Sequence, residues 1–299
     1  LKRDLPAPLR IPPIMDRIVW RAIGDAASVW RARFVRCVLF GVVCAVHAAN
    51  ASAETVRLAG SGAALGTMAR LDEAYRKIDA SFSLVVIPNF GSDGALRALG
   101  AKVIDIAAID RPLTEDEIAL GFTAIEYGRT PFVLVTNRHD TASISMAEAS
   151  AIVSGKVVTW PDGAPIRLVL RPKRDRDTSL LASFSPAMSD ALQRAYARPG
   201  MMIATTDQES ASEIEHRSGS FGTATLALIL SEHRSLQPLV IDGVAPTVKE
   251  LASGRYPYAK VMYLVTSKNL SVGARRFVAF VQSGRASTTL TRTGHWTPK

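Results

Sequence analysis

LVVIPNFGSDGALRALG, residues 84–100, contains the transition on which the fold turns. The apolar, β-branched run at its start reads as a strand. The polar NFGSDG breaks that strand, and a short helix follows, beginning at Ser92 or Asp93 and closing on Gly100 as its C-cap. Gly91, Ser92 and Gly94 between them admit two explanations. They form a plain turn, or they let a negative group approach backbone N–H donors at a helix start.

The same punctuation recurs along the chain. TVRLAG (55–60), SFSLVVIP (81–88), VIDIAAI (103–109) and IRLVL (166–170) read as strands. SGAALGTMARLDEAYRK (61–77) and TSLLASF (178–184) read as helices, and DRPLTEDEIALG (110–121) carries Thr114 and Glu117 at capping-box spacing. Strands alternating with helices predict an α/β protein with mostly parallel sheets flanked by helices. TPFVLVTN (130–137) and KVMYLVTS (260–267) are similar apolar strands and read as two crossings between lobes. That division gives residues 54–132 plus 262–299 as one lobe and 133–261 as the other. One large sheet is the alternative.

Charge and cysteine content narrow the function class. Of a net charge of +9, residues 1–53 hold eight Lys/Arg against three Asp, leaving 28 basic against 24 acidic residues. That remainder is too mild and dispersed to indicate nucleic acid. Arg31, Arg33 and Arg36 precede the apolar VLFGVVCAVHAA, and Ala51-Ser52-Ala53 follows. This is the pattern of a secretory signal cleaved after Ala53, with an uncleaved anchor as the alternative. Cys37 and Cys44 both fall inside it, so no disulfide is expected in the mature chain.

Four strand ends, AGSGAALG, NFGSDGAL, AIDRPL and RPKRDRDTSLL, place small, hydroxylic or charged residues before a helix. In open α/β sheets ligands bind at such ends, where helix N-termini offer donors and a positive dipole. Each has a plain structural reading as well. Ser92 and Asp110 suit N-caps, Ser61 suits a tight turn, and Arg171 suits a solvated charge cluster. His139, His216, His233 and His295 lack metal spacing and read as surface residues. No cofactor, metal site or catalytic constellation is expected: no G-x-S-x-G elbow is present, and the loose G-x-G-x-x-x-G at 60–66 lacks the acid that would hold a ribose.

Read in order, AGSGAAL, GSDGALRAL, AAIDRPLTEDE, SGKVVTWPDG, GSFG, IDGVAPT, GRYPYAKVMYLV, FVAFVQS and TGHWTP make the chain resemble the periplasmic phosphate-binding proteins of ABC transporters, within the type II periplasmic binding proteins. The resemblance implies two lobes closing on phosphate without catalysis, a monomer in the periplasm, and delivery to a permease in the inner membrane. It implies that Ser92 donates its hydroxyl to the anion and Arg171 clamps it. Asp110 would accept a hydrogen bond from a protonated oxygen, which selects phosphate over sulfate. It places the first anion loop at Ser61, Gly62, Ala64 and Leu65, although Ala64 and Leu65 stand where the family carries a hydroxylic residue and an aromatic. In the second lobe the gap after Arg171 is longer than usual, and the donors would be Thr178 and Ser179 beside Asp177. Those departures leave a second option: another oxyanion such as molybdate or tungstate, or a sensor of ligand rather than a transport component.

Overall fold

In the computed structural model, β1 (Glu54–Gly60) has the alternation of a half-buried strand: Val56 and Leu58 are buried, Thr55 and Arg57 exposed. The structure describes residues 54–298, so the expected signal, its two cysteines and its cleavage point lie outside the described residues. After Ser61 the chain enters α1 (Gly62–Arg76), which buries Leu65, Met68, Leu71 and Tyr75 at helical spacing. β2 (Phe82–Ile87), α2 (Gly91–Gly100) and β3 (Ile106–Ile109) repeat the unit. Helix α2 starts at Gly91 and keeps Gly100 within it, the C-cap being Ala101. Gly91 has φ +63° and open space around its missing side chain. Backbone conformation, not crowding, therefore calls for glycine there.

The capping box at Thr114 and Glu117 is complete and opens α3 (Glu115–Ala119). β4 (Thr123–Thr136) is longer than the apolar segment alone predicts. Up to Pro131 it pairs antiparallel with β11 (Ala259–Thr266); from Phe132 it pairs with β8 (Ser220–Thr225). Proline cannot donate to a ladder, and β4 changes partners at this residue. The intervening chain forms β5 (Ser143–Ile144), α4 (Met146–Ser154), β6 (Arg167–Leu170), α5 (Arg176–Ala182), α6 (Pro186–Ala197), β7 (Met202–Ile203), α7 (Asp207–His216), α8 (Leu226–Glu232), β9 (Gln237–Pro238), β10 (Val240–Ile241) and α9 (Val248–Ala252). Helices α10 (Val272–Gln282) and α11 (Gly284–Arg292) end the fold.

The main sheet runs β2-β1-β3-β11-β4-β8-β6-β7, with β9 beside β4. Pairing is parallel among β2, β1 and β3 and among β8, β6 and β7. The centre is antiparallel: residues 260–266 pair with 123–130 and residues 132–136 with β8, so the two segments read as crossings meet only where Thr130 faces Lys260. Strand pairing is thus continuous, but the buried core is not. Two clusters draw on residues before 128 and after 261, around Leu58, Met68 and Phe277 and around Ile109 and Leu99. Two others draw on residues 132–256, around Phe132, Met188 and Tyr256 and around Val135 and Leu228.

His295 corrects its reading as a surface residue. It is fully buried, with its ring 5.5 Å from that of Tyr127. Burial outweighs two backbone hydrogen bonds and lowers its pKa to about 4. Among the described residues no helix is long and apolar enough to cross a membrane.

Candidate functional site

The carboxyl ends of β1 and β3 are drawn together by a backbone contact. Ser61 N donates to Ala108 O at 2.8 Å. Residue 60 must be glycine for this approach, since a Cβ there would lie 1.9 Å from the Ala108 oxygen. The contact sets Ser61 Oγ 3.1 Å from Asp110 Oδ2. From α2, Ser92 Oγ donates to Asp110 Oδ1 at 2.6 Å, and Asp110 N returns a bond to that hydroxyl at 3.3 Å. Neither residue caps a helix. Phe90 is the N-cap of α2, and Thr114 is that of α3.

Across the cleft, Arg171 follows β6 and is buried. Its Nη1 donates to Ala204 O at 2.8 Å and its Nη2 to Asp175 Oδ2 at 2.9 Å. Among the described residues its Nε has no hydrogen-bond partner. The cleft between these groups measures about 450 Å³, and Ser61, Ser92, Asp110, Arg171 and Ser179 all line it. Helices α1, α2 and α7 begin at or beside its wall, with their N-terminal dipole ends toward it.

Gly62, Ala64, Leu65 and Thr178 are not on the wall. Ala64 and Leu65 turn their side chains into the core, and Ala64 N donates to Ser61 O at 2.9 Å. Gly62 O accepts Gln208 Nε2 at 2.9 Å. Thr178 lies behind the wall, its Oγ1 bonded to Pro172 O and Tyr196 Oη, both at 2.9 Å. Ser179 is exposed, with Oγ 3.3 Å from Asp175 O.

Sequence reasoning passed over the residue at the floor. Lys260 stands on β11 with its side chain 1% exposed. Its Nζ lies 3.0 Å from Asp110 Oδ2 and 3.5 Å from Asp207 Oδ1, and it makes a still closer ion pair with Asp177 Oδ1. A lysine on the same strand face as buried Met262 and Leu264 was the available signal: period-two alternation puts residue 260 inside. Burial would raise the pKa of Asp110. The charge of Lys260 and hydrogen bonds from Ser92, Lys260 and Ser61 outweigh it and hold the carboxyl at about 2. At Asp177 burial prevails over Lys260, with Asp207 and Asp175 adding repulsion, and the pKa is raised. Lys260 itself is pushed well above its usual range: its carboxylate neighbours outweigh its burial. At the rim, Arg111 bridges Asp93 at 2.6 Å and Glu117 at 2.7 Å.

Residues 45–285 match the family described as the PBP superfamily domain. Among curated proteins, the phosphate-binding protein PstS 2 of Streptococcus pneumoniae is 33% identical over 102 residues, 34% of each chain. The chain thus spans about a third of the length of the curated relatives it matches. Among solved structures, a putative phosphate ABC transporter substrate-binding protein from Clostridium perfringens, with bound phosphate, superposes with a TM-score of 0.67 at 18% identity, covering 82% of this chain and all of that one. The periplasmic molybdate-binding protein of Azotobacter vinelandii gives 0.59 at 14% identity, covering 82% of this chain and all of that one. At those identities the neighbours establish the fold, that of the type II periplasmic binding proteins. With four-fifths of its length matched to one family model, this chain belongs to the PBP superfamily.

Proposed function

We propose that this protein is an extracytoplasmic solute-binding protein. It captures phosphate in the cleft and delivers it to an ABC permease, without chemistry on the ligand. The observation that carries the reading is the convergence of Ser61, Ser92, Asp110 and Arg171 on one cleft. A dehydrated oxyanion needs a donor for each oxygen. Arg171 Nη1 and Nη2 each keep one hydrogen for the ion, and Ser61 and Ser92, whose single hydroxyl hydrogens go to Asp110 in this structure, would turn them to the ion as it enters.

Asp110 favours a proton-bearing ligand. A carboxylate has about four acceptor positions, and three are taken by Ser61, Lys260 and Ser92. The remaining one, on Oδ1, repels any oxyanion that brings no proton to it. Phosphate carries such a proton near neutral pH, whereas sulfate and molybdate do not. This favours phosphate over molybdate, for which one structural neighbour is named. Ser61, Ser92, Asp110 and Arg171 would touch the ion, with Ser179 at the entrance. Gly62, Ala64, Leu65 and Thr178 would act only through the shape of the wall.

Residues 54–132 with 262–299, and 133–261, would form the two lobes. They would hinge where β4 exchanges β11 for β8. Export through the signal at residues 1–53 would place the protein in the periplasm as a monomer. Calorimetric titration of the purified protein with phosphate, arsenate, sulfate and molybdate tests the reading. Binding of phosphate and arsenate with rejection of the other two is expected. Absence of heat with all four, on protein stripped of ligand, overturns it.

A further inference from the structure

The floor of the cleft holds more buried negative charge than the reading requires. Arg171 and Lys260 are the two cations there, both almost fully buried. Four carboxylates face them: Asp110 from the end of β3, Asp175 and Asp177 from the start of α5, and Asp207 from the start of α7. Asp175 is 2.9 Å from Arg171 Nη2, Asp207 is 3.9 Å from that atom, and Asp177 Oδ2 is 4.0 Å from Arg171 Nε. Lys260 Nζ contacts Asp110, Asp177 and Asp207 together. With every group ionised this cluster carries two negative charges where an anion must arrive. Rim arginines do not cancel them. Arg111 is already paired with Asp93 and Glu117, and Arg97, Arg174 and Arg176, which also line the cleft, are exposed to screening water.

The four carboxylates differ in what holds their charge. Asp110 receives two hydroxyl hydrogen bonds besides Lys260. Asp175 accepts both Arg171 and the backbone N–H of Asp177. Asp207 is the first residue of a ten-residue helix and is partly open to water. Asp177 is buried deepest, receives no hydroxyl hydrogen bond among the described residues, and shares Lys260 with two competitors. It is the acid most readily neutralised. As a neutral acid it would release part of the field of Lys260 and Arg171 toward the cleft.

Resting on the oxyanion reading of this cleft, we infer that Asp177 takes up one proton from solvent as the anion binds, so that Asp177 and Lys260 decide how strongly capture depends on pH. Asp177→Asn removes the step, because asparagine is neutral at every pH and nearly the same shape. For wild-type protein, phosphate affinity should fall with rising pH more steeply than for D177N. The difference approaches about tenfold per pH unit where Asp177 is ionised in the free protein, and D177N should bind phosphate more tightly than wild type at pH 8. Calorimetry in buffers of different ionisation enthalpy should count up to one more proton taken up by wild type than by D177N.

Phosphate contains no carboxyl group, so infrared difference spectra of wild-type protein read the same event without any variant. A protonated-carboxyl band should appear on adding phosphate near pH 8. Equal proton counts in the two proteins, weaker binding by D177N at pH 8, or no carboxyl band would each overturn the inference while leaving phosphate capture intact. Failure of wild type to bind phosphate at any pH would instead sink the oxyanion reading beneath it.

Discussion

Replacing Lys260 by methionine tests the electrostatic centre of the molecule most directly. The substitution keeps an unbranched, buried chain on β11 and removes only the charge among Asp110, Asp177 and Asp207. At an effective dielectric of about 20, a unit pair at the 3.0 Å separation of Lys260 and Asp110 attracts by about 5 kcal/mol. Two further carboxylates add to that attraction, and desolvation of the lysine offsets part of the sum. Leaving buried charges without their partner costs about 3–5 kcal/mol in comparable sites. For a fold of this size each kcal/mol shifts the melting temperature by about 2–4 °C, so K260M should melt about 6–20 °C below wild type at pH 8. The deficit should shrink as pH falls. With the lysine gone the carboxyls bind protons more readily in the folded state, and acid then stabilises the variant relative to wild type. Adding Asp177→Asn should restore part of the loss, since one of the orphaned charges disappears. Scanning calorimetry at pH 5, 6.5 and 8 reads all three. A variant that melts within about 2 °C of wild type, or whose deficit is the same at pH 5 and 8, would show that Lys260 does not hold these carboxylates together.

Three other outcomes follow from named contacts. His295 is held neutral, with its pKa lowered to about 4 in the fold against about 6.5 unfolded; its contribution is intact above pH 6.5 and lost as pH falls toward 4, by about 3 kcal/mol in all, so His295→Phe should flatten urea-unfolding stability across that window, and identical pH slopes would contradict it. Gly60→Ala puts a Cβ 1.9 Å from the Ala108 carbonyl oxygen, a backbone atom that cannot swing aside; it should destabilise the fold by about 3 kcal/mol and weaken phosphate binding by moving Ser61 away from Asp110, and wild-type stability in chemical denaturation would refute this. Arg171→Lys keeps the charge but not the fork that spans Ala204 O and Asp175; losing one or two charge-assisted hydrogen bonds, at about 1.5–3 kcal/mol each, should weaken phosphate at least about tenfold by calorimetry, whereas unchanged affinity would remove Arg171 from the site.

Local pattern made much of this molecule legible. The strand alternation at Val56 and Leu58 and the capping box at Thr114 are properties of neighbouring residues, and neighbours in sequence fix them. Parallel flanks followed from strands alternating with helices. Ser61, Ser92, Asp110 and Arg171, which line one cleft, were legible as candidates because each sits where a strand ends and small or polar residues begin. The same local view also offered a role that the fold does not use: Ser92 and Asp110 have the composition of N-caps, yet each spends its side chain on the other across 18 residues.

What only the tertiary structure decided concerns partners far apart in the chain. Lys260 reads as the polar head of an apolar strand until Asp110, Asp177 and Asp207, each more than 50 residues away, surround it. His295 reads as a polar residue near the chain end until Tyr127 and Gly128 close over it. The antiparallel centre arises because residues 260–266 return beside residues 123–130, far earlier in the chain. The sequence by itself determined the elements and the strand ends where polar and small residues cluster, since propensity and periodicity act over a few residues. The charge balance at the floor of the cleft was decided by folding, because a buried charge is set by whatever packs around it, and that has no signature in the order of the residues.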